Sequence, residues 1–244
     1  MHRTGELYGQ FQTLEQQKES STLGMWIFLV TEVLFFGGMF LTYTINRHLY
    51  FTAFGVGGNM LDLRLGATNT VVLIASSFTM AMSVWAAQTN RKKLLPLCLI
   101  LTLILGCVFL GIKYVEYKQK FDHHLVPGRS FDFWYRVDHP TSADDPKEIA
   151  TEREELHGAT LTDPDIQSHG QLYFSLYFAM TGLHALHMIV GAGLLIWVIR
   201  ESLKGRFSSN YNTPIEVVGL YWHFVDIVWI YLFALLYLIN RHAV

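Results

Sequence analysis

Ionisable side chains occur within the long apolar stretches of this chain, where they are costly and therefore indicate function by default. Glu32 is the clearest example, because most of its neighbours between residues 30 and 36 are apolar. Apolar surroundings disfavour the charged carboxylate. Two interpretations stay open from the residues alone. One is a proton-linked carboxyl or a contact with a partner subunit, and the other is a neutral acid hydrogen-bonded to a helix neighbour.

Two histidines also lie in an apolar stretch. His184 and His187 are three residues apart, so on a helix they share one face. Such a pair could contribute haem or metal ligands. One helix supplies only part of such a site, however, and no HxxxH or ExxH pattern accompanies the pair. The spacing therefore favours a polar contact between helices over a metal site.

A second set of polar residues lies near the ends of apolar stretches or within them. His223 and Asp226 are again three apart, which favours an ion pair or a shared hydrogen bond. Glu216 precedes them, and Lys113 and Glu116 are close enough to pair with each other. We find no phosphate-binding glycine loop, nucleophile triad or CxxC motif. The sequence therefore predicts no self-contained catalytic centre.

The elements that position these residues are membrane spans. Half of the 244 residues (51%) are apolar, 16% are charged and the mean hydropathy is +0.27, whereas about a quarter of residues are charged in soluble proteins. A net charge of −2 argues against a nucleic-acid partner. Five apolar segments are long enough to cross a bilayer as helices, namely 24–46, 66–89, 94–116, 171–199 and 214–239. We therefore predict an all-α polytopic membrane protein, with residues 1–244 forming a single transmembrane domain around a five-helix bundle.

The distribution of positive charge predicts the orientation. Eight Lys and Arg residues lie in the N-terminal segment and in the two loops that share its side, 90–93 and 200–206. Three lie in the short segments on the opposite side. The excess places the N-terminus in the cytoplasm and the C-terminus outside. The polar residues 1–23 do not resemble a signal peptide.

Residues 117–170 form the one long extramembrane loop. They include eleven acidic residues, six basic residues and five of the eleven histidines. Composition favours a solvated connection, although 148–156 could form a short helix. Loops of this length are uncommon without a function, and an acidic external lobe could dock a basic partner.

Five motifs in the spans resemble subunit III of cytochrome c oxidase. Residues 24–37 resemble the GMxxFxxSEVxFF signature of that family, and 69–77 resemble LNTxxLLxSS. Glu116-Tyr117 resembles the end of the next family helix, 181–187 resemble TGFHGLH, and 216–229 resemble ExxxxYWHFVDxVW. The motifs occur in the family's order, and only residues 1–20 and most of 119–168 lack a counterpart.

This resemblance implies a non-catalytic subunit of a proton-pumping haem-copper oxidase. In that family, subunit III holds no cofactor of the redox reaction, because haem and copper belong to partner subunits. It associates with subunits I and II, supports proton uptake and subunit I stability during dioxygen reduction, and binds phospholipid. Glu32 matches the family's buried, carbodiimide-reactive acid. The family's polar positions between helices, some in contact with lipid, match His184, His187, Glu216, His223 and Asp226.

The chain departs from the family pattern in two respects. Many members have seven helices, and the motifs here match the last five. The lipid cleft that the missing pair helps to form is therefore open or filled by another subunit. Five-helix forms occur among bacterial members, which favours a bacterial cytoplasmic membrane. The acidic insert 119–168 within the loop 117–170 is also longer than the usual connection, and we hypothesise that this loop contacts a cytochrome c domain or another respiratory complex on the outer face.

Other functions remain as alternatives to a cytochrome c oxidase subunit. Two are related, the equivalent subunit of a quinol oxidase and an accessory subunit of nitric oxide reductase. A haem or metal redox enzyme would use His184, His187 and His223, and a transporter would use Glu32. The ordered motifs favour the oxidase subunit over both unrelated alternatives.

Overall fold

The computed structural model describes residues 9–140, 145–207 and 211–239. These residues form eight α-helices, and the last of them continues as a π-helical turn, Ala234–Leu238. In chain order the helices are α1 Leu14–Leu49, α2 Phe51–Asn59, α3 Leu63–Gln88, α4 Leu94–Asp122, α5 Tyr135–Asp138, α6 Pro146–Thr162, α7 Ile166–Leu203 and α8 Thr213–Phe233.

Five of these helices, α1, α3, α4, α7 and α8, are long and apolar enough to cross a membrane. The predicted all-α polytopic class is therefore confirmed. The helices extend beyond the predicted apolar segments, most clearly in α1, which begins at Leu14. The Thr13 hydroxyl accepts a hydrogen bond from the Gln16 amide at 3.1 Å and caps this end. Hydropathy detects only the apolar part of a helix, so the polar turns were missed.

The short helix α2 was not predicted. Its sequence FTAFGVGGN is apolar and its residues 53–58 are buried, but nine residues are too few to cross a bilayer. Gly57 allows close packing, since a Cβ there would lie 2.5 Å from the Tyr173 ring. This helix contacts α6.

The chain divides into two compact units, and each long helix contributes a segment to both. The first unit comprises Met1–Phe35, Asn69–Leu110 and His184–Trp229. Its core contains Trp222, which is fully buried and donates to the Ser76 hydroxyl at 3.0 Å. Gly106 and Gly191 make room for this indole, because a Cβ at either position would approach it within about 3 Å.

The second unit comprises Phe36–Thr68, Gly111–Leu183 and Ile230–Val244, and it includes the predicted extramembrane loop. Phe133, Val137 and Leu156 from this loop are buried. The Arg136 guanidinium pairs with the Glu152 carboxylate at 3.0 Å and joins α5 to α6. The described part of the loop is thus a packed element and not an open connection.

The helix predicted over 148–156 is confirmed as the middle of α6. Asp145 caps its N-terminus by accepting from the Lys147 amide at 2.9 Å, and Pro146 occupies the first turn. Proline suits that position because its missing N–H would have no helical partner. These start signals, together with buried Ile149, explain why the helix is longer than predicted.

Candidate functional site

Glu32 pairs with a histidine of another helix. Its Oε2 atom lies 3.2 Å from Nε2 of His187 on α7, and the two side chains are 18% and 16% exposed. One of the two open interpretations placed the partner of Glu32 on its own helix, whereas the residue beside the carboxyl belongs to α7. The Tyr221 hydroxyl donates to the His187 carbonyl at 3.0 Å and links α8 to the same place.

His184 has a different environment from His187. Its Nε2 lies 3.1 Å from the Val225 carbonyl of α8. Because a carbonyl only accepts, this nitrogen carries the proton. The ring packs against Phe109 and Trp229. Among the residues that the structure describes, no three His, Cys, Asp or Glu side chains are grouped so as to hold a metal ion.

The expected pair between His223 and Asp226 does not form. Nδ1 of His223 lies 2.7 Å from the Ser77 hydroxyl of α3. Asp226 is 4% exposed, and neither of its oxygens has a hydrogen-bond partner within the described ranges. Helical spacing placed the two side chains on one face, but it could not show that Ser77 lies opposite His223.

Glu216 lies where three helices meet. It accepts from the Gln88 amide of α3 at 2.9 Å, and it lies 3.4 Å from the Lys18 ammonium of α1. Its side chain is 23% exposed. Glu216 therefore joins these helix ends near solvent, whereas Asp226 is enclosed in the same unit.

Lys113 and Glu116 pair as predicted, at 2.8 Å, and both are buried in the second unit. The Lys113 ammonium also lies 3.3 Å from the Tyr177 hydroxyl and 3.1 Å from the Tyr237 hydroxyl. Both tyrosines donate to Oε1 of Glu116. Each charge thus has several partners, which a buried ion pair requires to be stable.

Sequence reasoning missed the two tyrosines and the neighbouring Lys120. The tyrosines lie in apolar runs, where an aromatic residue gives no sign of a polar partner. Lys120 is buried and donates to the Met60 carbonyl, which fixes the end of α2 to α4. Three lysines and two acidic residues lie in the last ten residues of α4, and this excess of cations was the available signal for additional acceptors.

The first unit contains an amphipathic cavity of about 840 Å³. Its apolar wall includes Met25, Phe28 and Trp197, and its polar part includes Lys18 and Arg206. Both cations have carboxylate neighbours, since Lys18 is near Glu216 and Arg206 lies 2.6 Å from Glu201. The cavity can accommodate an apolar chain that carries a polar or charged head.

Comparison with known proteins gives a consistent family match. The family model described as cytochrome c oxidase subunit III matches residues 2–123 and 158–241. A protein of Staphylococcus haemolyticus strain JCSC1435, named probable quinol oxidase subunit 3, is 29% identical over 219 residues, covering 89% of this chain and 88% of its own. A protein of the same name from Staphylococcus aureus strain USA300 is 28% identical over 225 residues, covering 91% and 90%.

Proposed function

Because the chain belongs to the cytochrome c oxidase subunit III family, we propose that it is the non-catalytic subunit III of a proton-pumping terminal oxidase. The observation that carries this proposal is the family match, which reaches all five candidate spans. In this proposal the chain contains no redox centre, and dioxygen reduction takes place at haem and copper in partner subunits.

We further propose that the electron donor is a quinol. Both named relatives are probable quinol oxidase subunits, which supports the alternative of the sequence analysis over a cytochrome c oxidase. Identity of 28–29% leaves cytochrome c as the competing donor. A nitric oxide reductase accessory role has no comparable support.

The chain's own contribution is proposed to be support of subunit I during proton uptake. Glu32 and His187 form a carboxyl–imidazole pair on α1 and α7, and such a pair can hold or exchange a proton. The polar contacts of His184, His223 and Glu216 keep the helices of the first unit in register around it.

A bound phospholipid is the second part of the proposal. The cavity in the first unit fits its chemistry, because an acyl chain would pack against Met25, Phe28 and Trp197. Lys18 and Arg206 would attract the phosphate, and the adjacent carboxylates would suit a headgroup that also carries a positive charge. Replacing Lys18 and Arg206 together by Gln should reduce the phospholipid that copurifies, as measured by mass spectrometry.

The proposed location is a bacterial cytoplasmic membrane, with the N-terminus in the cytoplasm and the C-terminus outside. The loop 117–170 then lies outside. The partners are oxidase subunits I and II and membrane lipid. Contact of this loop with a cytochrome c domain or another respiratory complex remains a proposal, supported by its folded state and by the absence of 124–157 from the family match.

One purification tests the main proposal. The chain would be tagged, extracted gently from native membranes, and examined with its partners by reduced-minus-oxidised and carbon monoxide spectra. Large haem-bearing partners and oxygen consumption driven by quinol are expected. Oxygen consumption driven only by reduced cytochrome c would show that cytochrome c, and not a quinol, is the electron donor. A colourless chain that purifies without partners would overturn the proposal.

A further inference from the structure

Two buried polar side chains of the first unit lack partners. Asn69 is fully buried, and neither its amide nitrogen nor its oxygen has a hydrogen-bond partner among the described residues. The same holds for both oxygens of Asp226, within that part of the chain. Buried polar groups are nearly always paired with protein or ordered water, and leaving one unpaired costs about 1–3 kcal/mol. Two such groups in one core therefore indicate a ligand.

The contacts between α3 and α8 place these residues at neighbouring levels. The Trp229 indole donates to the Thr70 hydroxyl at 3.1 Å, and the Trp222 indole donates to the Ser76 hydroxyl at 3.0 Å. Asp226 lies between the two tryptophans on α8. Asn69 directly precedes Thr70 on α3. With a rise of about 1.5 Å per residue in antiparallel helices, Asn69 and Asp226 are offset along the axis by about 6 Å.

An offset of this size favours a bridge through a water molecule over direct contact between the Asn69 and Asp226 side chains. Facing helices pack about 8–10 Å apart, and each of these side chains spans only part of that gap. A water molecule fits where two to four polar groups surround a small space. The two amide atoms and the two carboxyl oxygens supply that number.

Neighbouring polar groups already have contacts of their own. The Ser77 hydroxyl lies 2.7 Å from His223 Nδ1, and it also lies near the Asp226 carboxyl, where it forms no hydrogen bond of good geometry. His184 Nε2 donates to the Val225 carbonyl, one residue before Asp226. Leu73, four residues after Asn69 on α3, is also buried. The polar groups around the two side chains thus have contacts of their own, while Asn69 and the Asp226 carboxyl have none among the side-chain contacts of the described residues.

We propose that a buried water molecule binds between Asn69 and Asp226 and links α3 to α8 inside the membrane. The water accepts a hydrogen bond from the Asn69 amide and donates to the Asp226 carboxyl. This site is independent of the donor and of the redox chemistry of the partners. It gives Asp226 a polar contact that His223 does not provide.

Electron cryomicroscopy of the unmodified complex tests this proposal directly. A map that resolves ordered water should show one density peak within hydrogen-bond distance of both side chains. A direct contact between Asn69 and Asp226, or a dry gap between them, would overturn the proposal. This measurement does not depend on any variant folding correctly.

A double-mutant cycle supplies an independent test. Asn69→Leu and Asp226→Leu should each lower the melting temperature, because each leaves the other polar group and the water with a missing partner. The double variant should lose less than the sum of the two losses, because the need for water disappears with both groups. Additive losses would contradict a shared water.

Thr102→Val provides the matched control for this cycle. Thr102 is also fully buried, but its hydroxyl already contacts the Cys98 carbonyl and Thr79. Its combination with Asn69→Leu should therefore be additive. If Thr102 and Asn69 were coupled as strongly as Asn69 and Asp226, the coupling would reflect general disruption of the core. The water site would then be rejected.

Discussion

Replacing the Glu32 carboxyl by an amide tests proton transfer separately from packing. Glu32→Gln retains a hydrogen-bonding group beside His187, 3.2 Å away in the native pair, so assembly should remain intact. The amide cannot bind and release a proton in the physiological range. We expect sustained oxygen consumption by the complex to fall or to inactivate faster at alkaline pH, where proton supply limits uptake.

The control for Glu32→Gln is Thr31→Val on the same helix. The Thr31 hydroxyl donates only to the Phe28 carbonyl of its own helix, and the residue is exposed. Its removal should leave both turnover and lifetime unchanged. If Glu32→Gln also behaves as wild type at every pH, Glu32 is a packing residue.

The Lys113 cluster makes a different prediction, about buried charge. Lys113→Met leaves Glu116 buried with its two tyrosine donors but without its cation, and breaking such a pair costs about 3–5 kcal/mol. Adding Glu116→Gln removes the uncompensated charge and should recover most of the loss. The melting temperature of this chain in the purified complex would be measured for both variants.

Lys118→Met is the matched control for the cluster. Lys118 lies on the same helix but is exposed, so its replacement should change stability by no more than about 0.5 kcal/mol. A double variant that is less stable than Lys113→Met alone would contradict this prediction, because Glu116 would then stabilise the fold without its cation. In that case the closed network around Glu116 would need another explanation.

At the scale of elements, the long helices could be predicted and the short one could not. Apolar length is decisive for a span, so all five were found from hydropathy. α2 has only nine residues, and its burial depends on contact with α6, which is distant in the sequence. The partners of Lys113 were missed for the same reason, because Tyr177 and Tyr237 reach it from other helices. Residue spacing likewise suggested a His223–Asp226 pair, whereas Ser77 is the actual contact.

The glycines of α1 and α2 allow a test of helix packing. Gly57→Ala would place a Cβ 2.5 Å from Cδ1 of Tyr173, and such overpacking typically costs about 1–3 kcal/mol. Gly37→Ala, in the middle of α1, meets no atom within 4 Å. It should be neutral or stabilise the helix by up to about 1 kcal/mol, because alanine is the better helix former.

Melting temperatures of the two alanine variants in the same purified complex would be compared. We expect a loss for Gly57→Ala and no loss for Gly37→Ala. Equal stability of the two would mean that α2 can move away from Tyr173. A large loss at Gly37 would instead show that a partner subunit packs against that exposed position.

For the whole molecule, the family match separates two parts of the chain. Residues 2–123 and 158–241 match the family, whereas 124–157, which contain α5 and most of α6, do not. Arg136 pairs with Glu152 within this insert, and Glu155 accepts a hydrogen bond from Asn59 of α2. The described residues of the insert therefore form part of the second unit and contact α2.

Replacing 124–157 by a short flexible linker tests what this element does for the molecule. We expect the five spans and the association with partner subunits to persist, because the matched parts contain every span. The melting temperature should fall, since Phe133, Val137 and Leu156, which are buried in the second unit, are removed with the segment. Turnover with a small soluble quinol should stay unchanged, whereas binding of any respiratory partner that docks on the insert should be lost. A variant that retains both turnover and partner binding would exclude the docking role, and loss of assembly would show that the insert is part of the structural core.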